Sequence, residues 1–125
     1  MKHIIAAILA VFHISNGLDM LVDASGWWVR IPGVGDTGPF NPHFVQDVGA
    51  AYLAAGLGLA ARAWRPAWWP AAMAGAVFLA VHALIHLGMI AMAMDHHAAV
   101  DLMIVVLPAA LSVYAAFPPR RAKRT

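Results

Sequence analysis

The chain has 125 residues, a net charge of only +2, a 62% hydrophobic composition and a mean hydropathy of +0.73. Soluble domains are about 45–50% apolar, and a core of this size could not hide the excess, so a soluble globular fold is excluded in favour of an integral membrane protein. Cysteine is absent, which removes disulfides and thiolate ligands. Nucleic-acid binding has no support either: the basic tail is short and lies beside an apolar segment, where anionic lipid headgroups are the simpler partner.

Taken in order, Lys2 precedes an apolar run over about 3–22, close to the roughly 20 residues that cross a bilayer. A signal peptide would have a purely apolar core. This run carries His13, Asn16 and Asp19 and reads as a retained first helix. Residues 27–42, WWVRIPGVGDTGPFNP, read as a loop, with Trp27 and Trp28 at headgroup level. Asn41-Pro42 is an N-cap followed by a first-position proline and opens a second helix over 42–63. Its small residues Ala50, Ala54 and Gly58 recur every four positions, a spacing that lets helix backbones approach closely in lipid.

Trp64, Trp68 and Trp69 surround a tight turn at the opposite interface. A third helix is expected over 70–94 and a fourth over 98–117, the latter kinked or with a freed carbonyl at Pro108. Residues 118–125 form a basic tail. The expected fold is therefore all-α, an integral membrane four-helix bundle over residues 1–117. Four spans place Lys2, Arg62, Arg65, Arg120, Arg121, Lys123 and Arg124 on one side, leaving only Arg30 on the other. By the positive-inside rule both termini are cytoplasmic, in a bacterial inner membrane.

The polar residues gather in the outer half on this topology. His13 and Asn16 are three apart; His43 and Asp47, His82 and His86, and His97 and Asp101 are each four apart, so every pair shares a helix face. Ionisable groups in an apolar span are costly and mark function, and bundles build metal sites from inward side chains on facing helices. The expected ligand is a transition metal ion (copper, iron or zinc) held by His13, His43, Asp47, His82, His86, His97 and Asp101. Met89, Met92 and Met94 beside Asp95, His96 and His97 point towards copper. Against this stand blander roles: hydrogen bonding across the bundle for His13 or His82, helix capping for His43–Asp47 and His97–Asp101, and packing for the methionines.

The alternative cofactor is haem b, ligated by His13 and His82, with His86 paired to His43 or His97 for a second haem and with Gly17, Gly49 and Gly88 making room. A continuous proton relay is not expected, because no ionisable group lies between Ile4 and Phe12 or between Asp47 and Arg62. Should the protein be an enzyme, a metal-dependent oxidoreductase fits better than a hydrolase, since no serine or cysteine nucleophile accompanies the histidines. The competing class is a non-catalytic subunit or assembly factor, in a larger membrane complex or a homo-oligomer.

The segment NGLDMLV followed by PGVGDTGPFNPHFVQDVGAAYL resembles small four-helix bacterial membrane proteins of the DoxX-like kind, over Asn16 to Leu53. The resemblance implies four helices with both termini inside. It implies little chemistry, because most of those relatives have no defined activity.

Overall fold

The computed structural model describes residues 1–94 and 96–118. Most of the expected basic tail and Asp95 lie outside the described residues. The chain forms α1 (Lys2–Val22), α2 (Ala24–Arg30), α3 (Pro42–Trp64), α4 (Trp69–Ala91) and α5 (Ala98–Ala116), with short 3-10 turns at Val34–Thr37 and Pro66–Trp68. Four segments are long and apolar enough to cross a membrane: α1, α3, α4 with its preceding turn, and α5. The long helices form a ring in which α1 packs on α3, α3 on α4, α4 on α5, and α5 back on α1. Lys2 Nζ closes the ring at one end by donating to the Phe117 carbonyl at 3.3 Å.

Backbone approach governs the α1–α3 contact. A methyl group added at Gly17 would lie 2.6 Å from the Gly49 carbonyl oxygen and 2.7 Å from the Leu53 nitrogen. Only hydrogen fits there, and the two helices cross backbone to backbone. On its other side α3 meets α4 at Gly58 and Gly75. The seam thus differs from the expected Ala50–Ala54–Gly58 row: Ala50 and Ala54 are exposed, α1 is met at Gly49 and Gly56, and Gly58 faces α4. A period of four is shared by several stripes of so small-residue-rich a helix, and the facing glycine selects which one is used.

Local chemistry accounts for the element boundaries. Asn41 accepts a hydrogen bond from the Phe44 amide at 3.2 Å and Pro42 occupies the first turn, as expected. Residues 27–30 are helical rather than loop. Asp23 caps α2 through the Gly26 amide at 3.0 Å, and Arg30 reaches back to Asp23 at 3.0 Å and Asp19 at 2.7 Å. Helix α4 ends at Ala91, three residues early, in a Schellman closure. There Ala93 takes a left-handed φ of 55°, Met94 N–H reaches the Met89 carbonyl and Ala93 N–H reaches that of Ile90, each at 3.0 Å. In α5 the expected disturbance at Pro108 takes the form of a π turn over Leu102–Val106. Pro108 cannot donate to the Ile104 carbonyl, and the wider turn absorbs the defect.

Two expected outcomes follow from these contacts. Gly17→Ala loses about 1–3 kcal/mol through overpacking against backbone that cannot yield. Gly88→Ala, where nothing lies within 4 Å, gains up to about 1 kcal/mol of helix propensity. Thermal unfolding of both variants checks the pair, and equal behaviour contradicts the crossing. The second outcome concerns the Asp23 carboxyl, which the hydrogen bond from Arg30 holds below its ordinary 3.8. A depressed carboxyl stabilises the α1–α2 corner at pH values above the ordinary one and stops doing so as pH falls through the lowered one. Trp27 and Trp28 emission should therefore show an acid transition that moves upward, towards 3.8, in Arg30→Gln.

Candidate binding cavity at the acidic end

Aspartates 19, 23, 36, 47 and 101 all fall at one end of the bundle, opposite Lys2, Arg62 and Arg65. Between the helices at that acidic end is a cavity of about 440 Å³. Phe12, Asn16 and Met20 of α1, Trp27 and Trp28 of α2, and Val45, Val48 and Tyr52 of α3 form part of its wall. Phe44 of α3, His82, Ile85, His86 and Met89 of α4, and Asp101, Ile104 and Val105 of α5 form the rest, and residues 31–34, 36, 37, 94 and 96 border it from the loops.

Polar groups enter this apolar wall in an ordered row. His86 Nδ1 forms a short contact with Asp101 Oδ2 across the α4–α5 interface, and both side chains are largely buried. The His82 ring lies edge-on to His86 at 4.7 Å, stacks on Phe78 at 5.8 Å and meets the Tyr52 ring at 5.7 Å. Tyr52 in turn stacks on His13 at 5.7 Å. Asn16 accepts a hydrogen bond from the Trp27 indole at 2.9 Å, which fixes that side of the wall. The π turn of α5 begins immediately after Asp101, the residue that meets His86.

The seven residues singled out from the sequence fall into four groups. His82, His86 and Asp101 are together on the cavity. His13 is 1% exposed and bonds Ser112 Oγ through Nε2 at 3.0 Å, the cross-bundle role open to a lone membrane histidine. His43 and Asp47 are 3.7 Å apart with side chains 84% and 66% exposed, so they turn outward from α3. His97 pairs with Asp36 at 3.6 Å and packs over Gly33. Among the described residues no three His, Cys, Asp or Glu side chains converge as a metal cage.

The Tyr52 ring lies against both the His13 and the His82 imidazoles. Gly17 and Gly49 are filled by the helix crossing, whereas Gly88 borders open space.

Tyr52, Trp27 and Asp36 line the cavity without a sequence signal of their own. Tyr52 is the one aromatic between Phe44 and Trp64 in a helix rich in small residues, and the packing of α3 on both α1 and α4 brings it between two histidines. Met89, Met94 and His96 of the methionine-rich stretch also line the cavity, while Met92 does not. Compared with family models, curated proteins and solved structures, the chain finds no match.

Among the described residues His13 Nδ1 is buried with no hydrogen-bond partner, so the Ser112 bond is the one hydrogen bond of this imidazole. Ser112→Ala should cost about 1–3 kcal/mol, the penalty for stranding a buried polar group, while His13→Leu combined with Ser112→Ala should recover most of it. Unfolding midpoints of the single and double variants measure the coupling.

Proposed function

We propose that this protein is a four-span membrane protein of the bacterial inner membrane that binds a flat, lipophilic molecule bearing a carbonyl or hydroxyl group in the cavity at its acidic end. The basic end, with Lys2, Arg62 and Arg65, faces the cytoplasm by the positive-inside rule, and the cavity opens in the outer half. The observation that carries the reading is the His86–Asp101 pair set in a mostly apolar, aromatic-rich wall. A few placed polar groups within an apolar pocket are the usual form of a small-molecule site.

The parts divide the work of recognition. Asp101 engages Nδ1 of His86 and thereby orients the ring, and among the described residues Nε2 has no hydrogen-bond partner. That nitrogen can donate to, or accept from, a ligand oxygen. Phe12, Trp27 and Trp28 supply flat apolar surface for a ring. A molecule of the quinone class combines these requirements: a planar ring, polar oxygens at its edge and solubility in the bilayer.

A second reading keeps the cavity and changes the guest. His82 and His86 lie 4.7 Å apart by ring centroid, with Asp101 on His86. A modest rotation of the imidazoles would offer two nitrogens and an adjacent carboxylate to copper, iron or zinc. Metal analysis of the purified protein distinguishes the readings: near-stoichiometric metal that disappears in His82→Ala and His86→Ala selects the ion, and a Soret band selects haem.

For the first reading the probe is decylubiquinone, followed through quenching of Trp27 and Trp28 emission. Saturable quenching is expected, weakened about three- to tenfold in His86→Ala and in Asp101→Asn, with partial recovery in His86→Gln. Quenching that does not saturate, or that is indifferent to all three substitutions, removes the proposal.

A further inference from the structure

At the opposite end of the bundle, Arg62 is 3% exposed. Its Nε is buried without a partner, and among the described residues the guanidinium has no hydrogen bond or ion pair. A buried cation with no counter-charge is among the most expensive arrangements in a protein, and mutual pairing or a bound anion is the usual remedy. Among the described residues no carboxylate lies near it. The chain contains no glutamate, and Asp47, the one aspartate on the same helix, lies roughly 22 Å away along α3 at 1.5 Å per residue. The other described aspartates are at the same far end as Asp47.

Arg62 instead faces a cleft of about 410 Å³ shared with Lys2, His3, Ala63 and Pro66. Lys2 is held over the Tyr114 ring at 4.8 Å while donating to the Phe117 carbonyl, so its ammonium is fixed at the rim. Arg65 lies over the exposed Trp64 ring at 4.6 Å, and Trp68 is exposed nearby. Exposed tryptophans with basic residues are the composition of a headgroup layer. The cleft is thus cationic, partly sunk between helices and level with lipid phosphates.

We propose that this cleft, between the start of α1 and the end of α3, binds the phosphate group of an anionic phospholipid, with Arg62 as its principal ligand and Lys2 at the rim. The planar guanidinium fork matches two phosphate oxygens, and the phosphate supplies the charge that Arg62 lacks. The proposal rests on the membrane reading but not on the cavity at the acidic end.

Native mass spectrometry of protein released from mixed phosphatidylcholine and phosphatidylglycerol bilayers tests it. The unaltered protein should retain one phosphatidylglycerol in preference to phosphatidylcholine by about fivefold or more. Arg62→Met should abolish the preference and Arg62→Lys should reduce it. In lipid-free detergent, added phosphatidylglycerol should raise the melting temperature of the unaltered protein and leave that of Arg62→Met unmoved.

Should Arg62→Met fail to fold, Arg62→Lys and Lys2→Gln carry the test, and an unchanged preference in both overturns the site. No preference in the unaltered protein, or full retention by Arg62→Met, also overturns it. An Arg62-dependent thermal shift from inorganic phosphate as large as that from phosphatidylglycerol overturns the lipid assignment in favour of free phosphate. Substituting His86 should leave all of these readouts unchanged, which keeps the outcome separate from that of the cavity.

Discussion

The contact on which the rest depends is the crossing of α1 and α3 at Gly17 and Gly49. Two backbones meet there with no room for a methyl group. Because the approach is so close, it fixes the rotation of both helices as well as their separation. Rotation decides which side chains face inward, so His13 and Tyr52 become ring partners while His43 and Asp47 are turned outward. A looser packing through leucines would tolerate several rotations of comparable energy; glycine against glycine tolerates few.

Given that geometry, most polar groups are satisfied two at a time. His13 takes Ser112, Asn16 takes Trp27, Arg30 takes Asp19 and Asp23, and His86 takes Asp101. Local pairing is the less costly arrangement for groups surrounded by apolar side chains, since each partner relieves the other's desolvation. Two features stand outside this economy. One is His82 on the cavity wall, which meets the rings of Tyr52, Phe78 and His86 and has no hydrogen bond among the described residues. The other is Arg62, buried at the far end with no counter-charge among the described residues. Both are places where the fold accommodates chemistry that packing alone does not require.

Several elements were legible from residue pattern because their causes are local. Asn41-Pro42 starts α3 as its capping chemistry requires, and Pro108 disturbs α5 as a missing donor must. The early end of α4 was not legible, since a left-handed alanine at position 93 breaks the preference for glycine at a helix C-terminus. The α2 turn was hidden because its stabilising pairs, Arg30 with Asp19 and Asp23, join residues that a loop-like composition conceals. Spacing correctly put His43 with Asp47 and His82 with His86 on shared faces. It could not say whether a face pointed inward, and the two pairs went opposite ways.

The sequence alone determined the number and approximate span of the long apolar helices and the segregation of charge between the two ends. These follow from hydropathy, chain length and the order of residues, none of which depends on how helices rotate. Only the tertiary structure decided which histidines share a cavity, that His86 is met by Asp101, and that Arg62 is buried without a partner among the described residues. Those outcomes depend on helix rotation and on contacts between distant segments, which close packing at a few small residues selects and a one-dimensional pattern does not encode.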